Sequence, residues 1–287
     1  MRDLSSNHDC MALNGATVRR QWRLDRILDE CARRGIRAVS PWREQVAEIG
    51  IAKVAAQLRA LDMRLSGYCR VGFFTGVDAA ARRAAQEENF RAIDEAKTLG
   101  APCAIVVVGA LPGGMEGHAL YKDIVRARAE VEDGLGETLD YAKSVGMPLA
   151  IEPLHPMQAA ERACVNTLEH ALDLCDQFDH ERSGALGVAV DVYHTWWDPK
   201  LKRQIERAGA KRIFAFHVCD WLTPTTHLVN DRGMMGDGVI EIPRIRKWVE
   251  GAGYAGPIEV EIFSETWWAR PGELVLDTCV ERFRSAV

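Results

Sequence analysis

Four short apolar runs each carry, near their ends, a side chain able to bind a metal ion. They are PLAIEP with Glu152, LGVAVD with Asp191, IFAFHVCD with His217 and PIEVEIF with Glu261. Three carboxylates and one imidazole form a hard, oxygen-rich donor set that suits Mn²⁺ or Mg²⁺, with Co²⁺, Fe²⁺ and Zn²⁺ as alternatives. One divalent ion in such a set would chelate a carbonyl and its neighbouring hydroxyl, acidify the carbon between them and stabilise an enediolate. Glu152 and Glu261, on well-separated runs, could then face opposite sides of one bound sugar and serve as acid and base. Glu259 precedes Glu261 by two residues, shares its strand face and is the alternative ligand. His194, three residues beyond Asp191, and Arg232, in the loop NDRGMMGDG, are candidate donors to substrate oxygens. Trp42, Arg70, His155 and Trp197 complete the candidate substrate shell, because each falls at or just after a predicted strand end and indole faces pack well on sugar C–H surfaces.

Such a site needs a scaffold that brings the ends of separate strands together. The runs are short, apolar and rich in β-branched residues, as expected of strands buried on both faces. A first strand is expected to end near Asn7 and His8. A helix follows in which Leu24, Ile27, Leu28 and Cys31 repeat at helical spacing, closed by Gly35. IRAVSPW is a second strand ending at Trp42, followed by one helix over 43–61. RLSGYCR is a third, ending at Arg70. CAIVVVG over 103–109 is the fourth, and the glycine-rich loop LPGGMEG after it opens a helix running to about Ser144. Asn166 to Glu169 has the form of a capping box. A short helix is expected over 199–209, and the longest loop over 220–241. Eight strands alternating with eight helices, without a GxGxxG or GxxxxGK[ST] phosphate fingerprint, predict an α/β chain folded as a single (β/α)8 TIM barrel over residues 1–287.

Composition narrows the field further. The 287 residues are 47% hydrophobic and 27% charged, which excludes disorder. A net charge of -5 opposes non-specific nucleic-acid binding. No signal peptide and no apolar run of membrane-spanning length is present, so a cytoplasmic protein without a membrane partner is expected. The eight cysteines lack CxxC spacing and read as buried free thiols. Trp196, Trp221, Trp267 and Trp268 also fall near strand ends, where indole faces could stack on a sugar, pack between loops or make a homo-oligomeric contact.

The succession IEPLHP, VDVYH, FHVCD, DRGMMGDG and VEIF resembles the sugar phosphate isomerase/epimerase group of the xylose-isomerase-like TIM-barrel superfamily, most closely between Leu149 and Phe263. D-tagatose 3-epimerase, hydroxypyruvate isomerase, inosose dehydratase and endonuclease IV belong to that superfamily. The resemblance implies that Glu152, Asp191, His217 and Glu261 bind one divalent metal, that the two glutamates are acid and base, and that His194 and Arg232 contact a small carbohydrate substrate. The chain departs from the epimerases after Glu152, where His155, Pro156 and Gln158 stand in place of a further substrate-contacting glutamate. It lacks the extra histidines with which the endonucleases gather three zinc ions. The leading expectation is a metal-dependent isomerase or epimerase of a keto sugar or related polyhydroxy carbonyl compound. The alternatives are a dehydratase-type lyase acting by β-elimination and a non-catalytic sugar-binding barrel.

Overall fold

The computed structural model describes residues 2–6, 8–109, 111–113 and 118–287. Nine short strands form one sheet in the order β3-β2-β1-β11-β8-β7-β6-β5-β4, in which every pairing is parallel. They are β1 (Met11–Asn14), β2 (Ala38–Ser40), β3 (Arg64–Leu65), β4 (Tyr68–Gly72), β5 (Ala104–Val107), β6 (Leu149–Glu152), β7 (Leu186–Asp191), β8 (Ile213–Val218) and β11 (Ile258–Val260). β9 (Asp220–Trp221) and β10 (Arg232–Gly233) make a separate antiparallel ribbon in the long loop after β8. Helices fill the crossovers, so the sheet curls into the predicted TIM barrel. A parallel bridge between Trp42 and Cys69, with the Ser66 and Cys69 N–H groups donating to the Val39 and Pro41 carbonyls, closes the sheet between β2 and β4.

Several expectations are corrected. The first strand lies at Met11–Asn14, later than expected; His8 precedes it, and Asn7 is outside the described residues. RLSGYCR is not one strand: it breaks at Ser66 and Gly67 into β3 and β4, which share one position in the barrel. The single helix expected over 43–61 is two, Arg43–Ile49 and Ile51–Ala60, because Gly50 adopts φ 92°, a left-handed conformation that interrupts the ladder. The capping box shifts by one residue. Thr167, not Asn166, accepts from the His170 N–H at the start of Leu168–Phe178, while Asn166 donates to the carbonyls of Leu154 and Ala163. The helix expected over 199–209 spans Leu201–Arg212, with Gly209 non-helical inside it. Residues 114–117 of the LPGGMEG loop lie outside the described residues, and the helix after it runs Ile124–Val145.

The main core lies between the sheet and its helices. Inside the barrel a smaller cluster of Cys69, Cys103, Ile105, Ala150, Ala189 and Ala215 forms the floor. Period-two alternation then sets the layers: Ala150 lies two residues before Glu152, Ala189 before Asp191 and Ala215 before His217. Small residues at the floor leave space above it, and the ligand-type residues fill that space. All eight cysteines are free thiols. Among the described residues no helix is long and apolar enough to cross a membrane.

Candidate metal and substrate site

At the C-terminal mouth of the barrel, Glu152, Asp191, His217 and Glu261 converge, each offering one donor atom within 4.8 Å of all the others. All four are buried. Each ends, or lies just beyond, a parallel strand, and this is where a barrel exposes its catalytic groups. His217 Nδ1 lies 2.8 Å from Glu152 Oε1 and 3.9 Å from Glu261 Oε2. Glu259 is set below, where its oxygens accept from Asn14 Nδ2 at 2.7 Å and from Ser66 Oγ at 2.8 Å. The same Asn14 amide also donates to Glu261 Oε1 at 2.9 Å, so it fixes both glutamates. Trp42 Nε1 in turn donates to Asn14 Oδ1 at 2.8 Å.

The backbone of β7 explains how Asp191 and His194 share the site. The Asp191 carboxylate accepts from the Tyr193 N–H at 2.7 Å and caps the short helix Val192–Thr195. That turn folds His194 back until its Nε2 is 3.6 Å from Asp191 Oδ2. The His155 backbone N–H donates to His194 Nδ1 at 3.0 Å, so a neutral His194 ring carries its proton on Nε2. Arg232 enters from β10. Its Nη1 lies 2.9 Å from Asp191 Oδ2 and 3.1 Å from Glu261 Oε2, and its Nη2 lies 3.1 Å from His194 Nε2. Buried Asp220 orders the loop that delivers it, because its carboxylate accepts four backbone N–H groups, from Trp221, Gly236, Gly238 and Ile240. A side chain at residue 238 would meet the Trp221 carbonyl oxygen at 2.2 Å, so the turn requires glycine there.

Electrostatics show that this donor set fits a divalent cation. Burial, reinforced by Glu152 and Asp191, pushes the Glu261 carboxyl up to about 8 despite the neighbouring Arg232. Burial also opposes the charged form of His217, yet Glu259, Glu152 and Glu261 together hold its pKa well above the usual histidine value. Asp191 is desolvated too, but Arg232 and the two histidines outweigh this and keep its pKa low. Four buried carboxylates, Glu152, Asp191, Glu259 and Glu261, outnumber the two cationic side chains among them, Arg232 and His217, an excess that a divalent cation would offset.

Above the cluster opens a cavity of about 440 Å³, lined by Trp42, Arg70, Glu152, His194, Arg232 and Glu261 among the sequence candidates. His155 and Trp197 lie behind its wall. The His155 ring stacks on Trp221 with centroids 4.7 Å apart, and Trp197 Nε1 donates to the His194 carbonyl at 2.8 Å. Both support His194 from outside the cavity. The lining also includes Trp268, one of the strand-end tryptophans, and Arg19, Arg20, Arg162, Asn230 and Phe263, which the strand-end pattern did not single out. Asn14 was missed for a physical reason: placing β1 too early put His8, not Asn14, at the mouth.

Residues 28–285 match the sequence family described as the xylose isomerase-like TIM barrel. The chain belongs to that family. It is 25% identical over 209 residues, 72% of its own length and 69% of the relative's, to the inosose isomerase of Halalkalibacterium halodurans. A crystal structure of a protein from Sinorhizobium meliloti 1021 superposes with a TM-score of 0.92 at 49% identity, covering 98% of this chain and 99% of that one. A crystal structure of the IolI protein with a bound zinc atom superposes with a TM-score of 0.82 at 19% identity, covering 96% and 97%.

Proposed function

We propose that the protein is a divalent-metal-dependent isomerase or epimerase of a small keto sugar or related polyhydroxy carbonyl compound. The observation that carries the reading is the convergence of Glu152, Asp191, His217 and Glu261 within 4.8 Å of one another, with Glu152 and Glu261 lining a cavity of about 440 Å³. An ion held by these four residues would polarise a substrate carbonyl and its adjacent hydroxyl, and so ease proton loss from the carbon bearing them. The remaining work falls to the side chains. Glu152 and Glu261 both line the cavity from different strands, so one carboxylate removes the proton and the other returns it. Asn14 positions Glu261 from beneath, and His194 and Arg232 donate to oxygen that gains charge as the proton leaves. Trp42, Phe263 and Trp268, in edge-to-face contact at 5.5 and 5.9 Å, supply an apolar wall for sugar C–H groups and limit water. The similarity to an inosose isomerase supports a polyhydroxy ketone as substrate, and the zinc atom of IolI supports metal binding in this barrel. The oxygen-rich set favours Mn²⁺ or Mg²⁺ as the native ion.

The decisive experiment follows a panel of ketoses and inososes by NMR in deuterated water, with manganese- or magnesium-loaded protein and a chelated control. Metal-dependent deuterium uptake next to the carbonyl, together with a new stereoisomer or aldose–ketose partner, is expected. An unsaturated product would replace the isomerase with a dehydratase, and tight metal binding with no exchange on any substrate would sink the proposed chemistry.

A further inference from the structure

The arginines of this chain are generally held by acids. Arg19 meets Glu44 at 3.2 Å, Arg43 meets Glu95 at 2.7 Å, Arg207 meets Asp176 at 2.7 Å and buried Arg212 meets Asp179 at 2.6 Å. Arg20, at the cavity rim, is bonded to Glu265. Arg70 and Arg162 differ: both line the cavity, and among the described residues neither guanidinium has a carboxylate within 4 Å or a hydrogen-bond partner, Glu44 and Glu161 acting on them only from longer range. Both are partly buried, and burial pulls each below the usual arginine pKa. Leaving a desolvated cation unpaired is costly, so two of them in one cavity call for an external anion.

Local structure aims Arg70 at that task. The register of β4 against β5 slips between Cys69 and Val71, so Arg70 is the extra residue of a bulge and is left out of the pairing. Its guanidinium stacks 4.0 Å from the Phe73 centroid and 5.8 Å from that of Trp42, which fixes the plane and leaves its N–H edge for a ligand. Arg162 arrives from the loop after β6. Val107, at the end of β5, and Leu154 line the same cavity. The arginines thus belong to the β4–β6 side of the mouth, whereas Asp191, His217 and Glu261 belong to the β7, β8 and β11 side.

We propose that Arg70 and Arg162 form an oxyanion subsite, so that the substrate is an anionic sugar derivative bearing a phosphate or a carboxylate. The inference rests on the isomerase reading of the same cavity and names its substrate class. Guanidinium pairs recognise either oxyanion by charge-assisted, bidentate hydrogen bonds. One end of the sugar would lie over the metal ligands and the charged end against the arginines.

The test is calorimetric titration of chelator-treated protein with inorganic phosphate, and with two matched pairs, D-ribulose 5-phosphate against D-ribulose and D-glucuronate against D-glucose. At least one anion of the pairs should bind tenfold or more tightly than its neutral counterpart, and which pair shows the preference distinguishes phosphate from carboxylate. Arg70→Met and Arg162→Met should each cut that preference about tenfold, with Arg162→Lys retaining part of it. Equal affinity for anionic and neutral ligands in the unaltered protein overturns the subsite even if a variant fails to fold. So does an undiminished preference in the double methionine variant. The solvent-exchange assay separates this from the isomerase reading: exchange of neutral ketoses without anion preference removes only the subsite, and arginine-dependent anion binding without exchange on any substrate removes only the isomerase.

Discussion

At the scale of single residues, the site depends on two glutamates that differ in support. Glu261 is held by Asn14 and Arg232, whereas Glu152 faces His217. Glu152→Gln and Glu261→Gln keep the shape but remove the proton carrier, and each should lower kcat by about 10³-fold in the exchange assay. Asn14→Ala should act through position alone: kcat falls, while the protein stays folded by circular dichroism. The histidines behind the site make a pH prediction. Burial pushes His155 down to about 4 and His194 to about 3, from 6.5 in the unfolded chain. Below about pH 6.5 the unfolded chain takes up protons that the folded chain refuses, so stability present above that pH is lost as it falls toward 4. Between pH 7.5 and 4.5, His155→Phe, which can still stack on Trp221, should therefore lose less Tm than the unaltered protein, and that difference isolates the His155 contribution from the opposite one of Glu261 and His217, whose raised pKa values favour the folded state as pH falls. The four residues that converge at the mouth were legible because each is a polar group closing an apolar run. Arg162 was not, since it sits in an irregular loop where spacing carries no information and only the absence of a close partner among the described residues marks it.

At the scale of elements, strands with four or more consecutive apolar residues, such as β5 and β7, were read correctly from the sequence. The errors occur where a strand is short or split. MALN, with only four residues, does not stand out beside the preceding polar segment, and the break of RLSGYCR at Gly67 is set by the closing of the barrel, which no local pattern records. The long loop after β8 was legible as a loop but not as an ordered one, because its order comes from one buried carboxylate gripping four N–H groups far along the chain. Asp220→Ala should strand those donors, cost on the order of 3 kcal/mol in denaturant unfolding, and raise KM as Arg232 loses its mooring. Thr167→Ala, which removes a helix cap remote from the site, should cost about 1 kcal/mol and leave kcat unchanged.

For the whole molecule, the barrel was legible from the alternation of strands and helices, and the family match over residues 28–285 agrees with it. A metal ion that binds only the folded state should stabilise it by about 2.7 kcal/mol at a hundredfold excess over its Kd. Adding Mn²⁺ to chelated protein should thus raise Tm by roughly 5 °C, a shift that Asp191→Ala abolishes. The bridge between Trp42 and Cys69 has a consequence of a different kind. Where the wall breaks at Ser66 and Gly67 it is tied to the β2 side by that bridge and by the Ser66 and Cys69 N–H bonds to the Val39 and Pro41 carbonyls, which makes a seam, and breathing should begin there, with the amides of Ser66 and Cys69 exchanging with solvent before those of β7 and β8. Trp42 stands on one lip of that seam and Arg70 on the other, so a ligand clasped by Arg70 against Trp42 would suture it. Occupancy of the cavity would then be readable as slowed hydrogen exchange along this edge, a signal that needs no turnover.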